Sequence, residues 1–353
     1  MPTINQKEIV SDHVQIPVEL CKHDSDWFVV SLSLPRGYFK DPFFIDSLAK
    51  SFNILKAEIR LPEEDELLAR PVHYDETDKR VVYIQIDEFI KRYSGMKIDK
   101  KLGFIFHMSR CGSTLATQML AVNDRFFVLS EPTIINAVLD PALEIDQEKR
   151  SFLLRAVIQS LVTCSPEMCE QVFVKFRSWN ILYLDKILKC FPNVAWMFIH
   201  RQGLEVLQSV LEKPPGWLRS RKSYTKYFAS WVLANENDIQ IMTDDEYATR
   251  ILGAFCRVAS GTSSKNKIFV DYVNLKKDFV FNLSRLWGIN FNDTEIEDMI
   301  TTSKLYSKDV NKKEKFQSDS EEKRSKATKI QDELANKFTE SERLKLVNSQ
   351  YEN

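Results

Sequence analysis

Between residues 102 and 292, short apolar runs alternate with segments whose apolar positions recur at helical spacing. Residues 103–107, 171–176, 195–200 and 267–271 are the short runs. Each is too brief for a stable helix and holds aromatic or β-branched residues, so each predicts a strand. Residues 151–163 and 204–211 carry the 3.6-residue period and predict helices. Alternation of this kind predicts an α/β architecture with a central parallel sheet covered on both faces, hence three layers. In such sheets ligands bind at the carboxyl ends of the strands.

The two ends of the chain read differently. Residues 1–100 predict a small α/β unit, with strands over 27–34 and 80–86 and a helix near 87–92. A further helix is expected over 41–50, opened by Asp41 with Pro42 at its first position. Residues 93–101 are a polar linker, and nothing in this unit carries recognisable chemistry. After residue 300 lysine and glutamate dominate. Residues 309–317 read as a mobile loop, and Ile330, Leu334 and Phe338, four apart, predict a helix laying one face on the body. The expected division is therefore 1–100, 101–300 and 301–353, the last a charged loop and helical tail.

Composition narrows the function classes. A net charge of −1 over 353 residues gives no global field to draw in nucleic acid or an anionic membrane, so any anion site must be local. No apolar run approaches the ~20 residues of a membrane span, and the N-terminus lacks a signal-peptide pattern. Six scattered cysteines without a Cys-x-x-Cys pair read as reduced thiols, which predicts a soluble, cytoplasmic protein. The five histidines show no metal-ligand spacing, and no metal is expected.

The chemistry concentrates in Phe104-Ile-Phe-His-Met-Ser-Arg-Cys-Gly-Ser-Thr-Leu, an apolar run, a small-residue turn and the start of a helix. This order builds a strand, a phosphate-sized loop and a helix N-terminus that points free N–H groups at an anion. A nucleoside-triphosphate loop would end in Gly-Lys-Ser/Thr after a glycine five residues earlier. Here Gly112-Ser113-Thr114 closes the loop, that first glycine is absent, and Arg110 supplies the cation just ahead of the turn. The alternative is an ordinary strand–helix junction capped by hydroxyls. A second anion site is suggested by Arg201 at a strand end and Ser209 eight residues on, along the next helix. Lys175 sits in an apolar strand, where a lysine is paired, functional or snorkelling. Glu131 ends a short strand, and His107 ends the strand before the loop, a second possible proton acceptor.

Strand–Arg-x-Gly-Ser/Thr-Thr–helix followed by strand–Arg-x7-Ser–helix resembles the sulfotransferases that use 3′-phosphoadenosine 5′-phosphosulfate. The resemblance covers residues 102–290 and is nearest in motif layout to the tyrosylprotein and related sulfotransferases. It implies a P-loop fold for the three-layer domain. It further implies that Arg110, Cys111, Gly112, Ser113 and Thr114 bind the 5′-phosphosulfate and that Arg201 and Ser209 bind the 3′-phosphate. Cys111 stands where the family often has serine. Glu131 would then be the general base, with Lys175 and Arg110 stabilising the transferring group. Tyr272-Val-Asn-Leu275 is similar to the family's late Tyr-Glu-x-Leu, with valine in place of the acid. The implied activity is sulfuryl transfer to a hydroxyl of unknown identity, without a metal. Two other readings stand beside it: a divergent P-loop kinase, and a non-catalytic nucleotide-binding module.

Overall fold

The computed structural model describes residues 13–39, 41–51, 78–305 and 320–349. The loop expected over 309–317 lies outside the described residues. At the N-terminal end, β1 (His13–His23) and β2 (Asp26–Pro35) form a hairpin, and β3 (Val81–Gln85) joins it in an antiparallel sheet of order β1-β2-β3. β1 escapes the sequence pattern because Pro17 interrupts its alternation, at the point where the register shifts. The helix expected over 41–50 is α1 (Phe44–Ser51) and starts later. Asp41 lies ahead of it and accepts a bond from the Ser47 hydroxyl at 2.7 Å. α2 (Ile86–Tyr93) follows β3 directly.

The body is a five-stranded, all-parallel sheet. Its first half runs β4 (Lys101–His107), α3 (Ser113–Ala121), β5 (Phe126–Ser130), α4 (Thr133–Leu139), α5 (Gln147–Thr163) and β6 (Gln171–Lys175). Then come α6 (Leu184–Cys190), β7 (Ala195–His200), α7 (Gly203–Glu212) and three short helices, α8 (Gly216–Arg219), α9 (Thr225–Val232) and α10 (Glu236–Ile241). α11 (Asp244–Gly261), β8 (Lys267–Asp271), α12 (Tyr272–Trp287) and α13 (Asp293–Thr302) complete it. All five residues of β5 and of β6 are buried, so both faces of the sheet are covered, as a parallel sheet requires.

Strand order is β5-β6-β4-β7-β8. From β4 the chain runs to β5 on one flank and back to β6, then crosses β4 to reach β7 on the other. The connections therefore diverge at the carboxyl end of β4, where a crevice opens. The three-stranded sheet leans on this body beside the end of β5: the Thr133 hydroxyl donates to the Val18 carbonyl at 2.6 Å, and the Gly37 N–H to the Cys164 carbonyl at 2.9 Å.

After residue 320 come α14 (Ser320–Lys326), α15 (Lys329–Leu334), a π-helical turn (Ala335–Glu340) and α16 (Ser341–Ser349). The docking face differs from the one the spacing predicts. Ala335, Thr339 and Leu346 are buried while Ile330 is 67% exposed. Ala335 and Thr339 are also four apart, so the buried stripe keeps that spacing and lies one position on from Leu334 and Phe338, which are half-buried. Gly253 on α11 makes the close approach possible, since a Cβ there would sit 2.0 Å from the Phe338 carbonyl oxygen. Glu340 accepts the Gly203 N–H at the start of α7, and Arg343 pairs with Asp271 at 2.7 Å. Among the described residues no helix is long and apolar enough to cross a membrane.

Candidate functional site

The crevice at the end of β4 is a cleft of about 390 Å³, and most of the residues singled out by sequence line it. Its floor is the turn between β4 and α3. Ser109, Arg110 and Gly112 all have left-handed φ angles, of 78°, 46° and 82°. Consecutive turns of this kind aim backbone N–H groups into one concavity, and α3 adds its own N-terminal N–H groups. Gly112 is required twice over, by its φ and because a Cβ would lie 2.7 Å from the Tyr272 ring. Ser113 and Thr114 stand at the first turn of α3, and Arg110 hangs over the rim with Nη2 bonded to the Lys213 carbonyl at 2.9 Å. Cys111 turns inward and donates its Sγ–H to the Ile199 carbonyl at 3.0 Å. Burial pushes its thiol up to about 12, so it stays a neutral packed group.

Glu131 and Lys175 lie together at the neighbouring strand ends. Lys175 Nζ is 2.8 Å from Glu131 Oε1, with Thr114 Oγ1 and Ser130 Oγ each at 3.4 Å. Lys175 is 1% exposed and does not line the cleft itself; it lies beneath the lining, against Thr114 and Glu131. Glu131 itself has φ +61°, a left-handed conformation that glutamate rarely holds. Burial alone would raise its pKa. Lys175, His107 and Arg177 outweigh burial and hold the carboxyl well below the usual carboxylate range. It is an anion at any physiological pH.

His107 approaches the same carboxylate, Nε2 to Oε1 at 3.6 Å. Its Nδ1 accepts the Ser109 N–H at 3.1 Å. That bond occupies the Nδ1 lone pair, so the neutral ring carries its proton on Nε2, facing Glu131. Burial keeps the ring neutral by pulling its pKa below the ordinary histidine value. In this tautomer His107 is a donor toward Glu131 rather than a proton acceptor.

On the far wall, Arg201 closes β7 and Ser209 lies on α7, and both line the cleft. The Arg201 guanidinium stacks on Tyr272 at 4.3 Å, with Nε 2.6 Å from Glu205 Oε2 and Nη2 2.9 Å from Ser320 Oγ. Ser209 Oγ donates to the Glu205 carbonyl at 3.1 Å. The sequence pattern did not mark Glu205, which holds Arg201 on the wall, and it gave Tyr272, which supports the guanidinium, only as part of a late motif without a site role. It also passed over Phe43, whose ring lies 5.0 Å from Lys175 Nζ, and Arg177 and Trp179 just beyond β6. Arg177 had a signal, since it lies two positions past Lys175 and shares its side of an extended chain. Phe43 had none, because it comes from the N-terminal unit. The segment 212–217 supplies a wall through Lys213, Pro215 and Trp217.

No protein-family model matches the chain, and no curated protein sequence does. Solved structures do. The sulfotransferase domain of the Synechococcus PCC 7002 olefin synthase shares 15% identity, covering 69% of this chain and 96% of that one, with a TM-score of 0.42. The sulfotransferase STF9 of Mycobacterium avium shares 11% over 61% of this chain and 71% of that one, TM-score 0.41. Mouse sulfotransferase SULT7A1, solved with PAP, shares 13% over 76% and 97%, TM-score 0.37. The chain is structurally similar to sulfotransferase domains. Similarity this distant concerns architecture and carries no chemistry.

Proposed function

We propose that this protein is a sulfotransferase that moves a sulfuryl group from 3′-phosphoadenosine 5′-phosphosulfate to an acceptor hydroxyl. The observation that carries the reading is one cleft holding an anion-cradling turn without a P-loop lysine, a buried ammonium and an ionised carboxylate. The phosphosulfate would rest on the Gly112–Thr114 turn under Arg110, and the 3′-phosphate against Arg201 and Ser209. The acceptor oxygen attacks sulfur in line, forming the new S–O bond as the bond to the 5′-phosphate oxygen breaks. The acceptor proton passes to Glu131, and adenosine 3′,5′-bisphosphate leaves. Lys175 and Arg110 offset charge growing on the sulfuryl and bridging oxygens. His107 presents its Nε2–H to Glu131 from 3.6 Å, a favourable charge–dipole contact without a hydrogen bond.

Kinship to the tyrosylprotein branch rests on the placement of Glu131 and Lys175 in the sequence. Residues 1–100, through Phe43, would form part of the acceptor side, with 101–300 as the transferase body and 301–353 bracing α7 and Arg201. The deciding experiment is thermal unfolding with adenosine 3′,5′-bisphosphate against ATP–Mg²⁺. A ligand at about 100 times its dissociation constant adds about 2.7 kcal/mol of stability, a readily measured shift. A shift with the bisphosphate alone supports the donor assignment, and a shift with ATP–Mg²⁺ alone overturns it in favour of a kinase.

A further inference from the structure

The turn that follows β6 is built of hydrogen-bond donors that find no acceptor. Arg177 Nε, Trp179 Nε1 and Asn180 Nδ2 are all buried, and none has a hydrogen-bond partner among the described residues. All three are donors. Buried donors are almost always satisfied, so three in four residues mark a place shaped for an acceptor-rich group. Two of them, Arg177 and Trp179, line the cleft, and Trp179 is only 2% exposed.

Charge points the same way. The nearest anion to Arg177 is Glu131, whose Oε2 lies 3.9 Å from Nε, beyond hydrogen-bond reach. That carboxylate already takes Lys175 at 2.8 Å. A second guanidinium, Arg219, is close enough that its charge disfavours that of Arg177. Lys175 and Arg177 thus face one carboxylate, with Arg219 near Arg177, so among these four groups positive charge is in excess.

Position separates this group from the donor nucleotide. On the proposed reading the 3′-phosphate lies at β7 and the phosphosulfate at β4, so the nucleotide runs along the β7–β4 side of the sheet. Arg177 and Trp179 follow β6, on the opposite side of β4 from β7 and next to β5, which ends at Glu131. This is the side from which an acceptor hydroxyl would reach Glu131.

We infer that Arg177 and Trp179 form an oxyanion receptor for the acceptor, so that the acceptor carries a carboxylate or phosphate group near its reacting hydroxyl. The guanidinium supplies charge and paired donors, and the indole N–H adds a third. Aromatic side chains of Phe43, Trp179 and Trp217 on the same cleft make aryl acids suitable probes.

This inference rests on the sulfotransferase reading for its acceptor role, and the test keeps the two apart. Binding of 4-hydroxybenzoate, 4-hydroxyphenyl phosphate and the neutral 4-hydroxybenzamide is measured calorimetrically on the whole protein, with and without saturating adenosine 3′,5′-bisphosphate. At least one acid should bind about 10-fold or more tightly than the amide. The carboxylate and phosphate arms show which oxyanion is preferred. Arg177→Gln should erase the preference, Arg177→Lys should keep part of it, and Trp179→Phe should weaken acid binding severalfold. An amide that binds as well as both acids, no binding by either acid, or a preference that survives Arg177→Gln would each overturn the inference. Failure of the bisphosphate to bind would instead overturn the donor assignment, while the acid-against-amide comparison without nucleotide still reads Arg177.

Discussion

Glu131 and Lys175 are tied to each other twice. The Glu131 backbone N–H donates to the Lys175 carbonyl at 2.8 Å, and the Glu131 carboxylate takes the Lys175 ammonium at the same distance. The first bond extends the pairing of β5 with β6 by one residue. The second then needs Glu131 to fold back over the end of its strand, which its φ of +61° achieves. The strained backbone and the ion pair are thus one arrangement, placing an anion and a cation at the edge of the Gly112 turn.

Replacing Glu131 with glutamine keeps the shape of the side chain and removes its proton-accepting power. Turnover should fall by ~10²–10⁴-fold, the usual contribution of a positioned base, while affinity for adenosine 3′,5′-bisphosphate changes little. His107→Gln should cost far less, because the ring already carries its proton toward Glu131. Steady-state rates and nucleotide binding for both variants check this. Inactivity of the histidine variant beside a near-normal Glu131→Gln would transfer the role of base to His107.

Lys175→Met keeps the apolar stem and deletes the charge. Without that ammonium, burial is free to raise the Glu131 pKa, so the carboxylate protonates at higher pH. The acid limb of the activity profile should move upward in pH relative to the parent protein, and maximal turnover should fall. A pH–rate profile of the two proteins reads the shift. An acid limb that stays in place would mean Lys175 does not set the protonation of Glu131.

Arg201→Ala should weaken adenosine 3′,5′-bisphosphate binding much more than binding of adenosine 5′-phosphate. Only the first nucleotide has the group Arg201 is assigned to hold, and a charge-assisted contact is worth ~1.5–3 kcal/mol. Glu205 and Tyr272, which hold the guanidinium, remain in place. Calorimetric titration of both nucleotides decides the point, and an equal loss for the two would remove Arg201 from the 3′-phosphate site.

His200 gives the fold a dependence on pH that is separate from catalysis. Its ring is fully buried with neither nitrogen hydrogen-bonded among the described residues, and Nδ1 lies 3.7 Å from Asp271 Oδ2. Burial lowers its pKa to about 4; Asp271 opposes that effect and Arg343 reinforces it. Between about pH 6.5 and 4 the unfolded chain therefore binds a proton that the native state refuses, so stability falls as pH drops through this window. The loss amounts to at most about 3 kcal/mol. His200→Phe should flatten the change in urea midpoint between pH 7 and pH 4; an unchanged slope would assign the effect elsewhere.

The sequence by itself determined what is local. Short apolar runs fixed β4, β6, β7 and β8 to within two residues at either end, because strand formation there depends on runs that must be buried on both faces. The small residues of Gly112-Ser113-Thr114 marked the turn between β4 and α3, because a glycine tolerates the left-handed backbone that such a turn requires. The candidate residues Arg110, Glu131 and Arg201 were legible because each is set at or just past a predicted strand end, and Ser209 by its spacing from Arg201 along the next helix.

Tertiary structure decided what depends on strand order and on contacts between distant segments. That Lys175 meets Glu131 follows from β5 pairing with β6, a fact no spacing along the chain encodes. Phe43 reaches Lys175 only because the N-terminal sheet docks beside α4, and Arg201 is held by Glu205 and Ser320 from two separate helices. The C-terminal helix docks through Ala335 and Thr339, one position on from Leu334 and Phe338, where Gly253 lets its backbone approach α11. Side-chain chemistry is written in residue types, whereas which charges become neighbours is settled when the sheet is assembled.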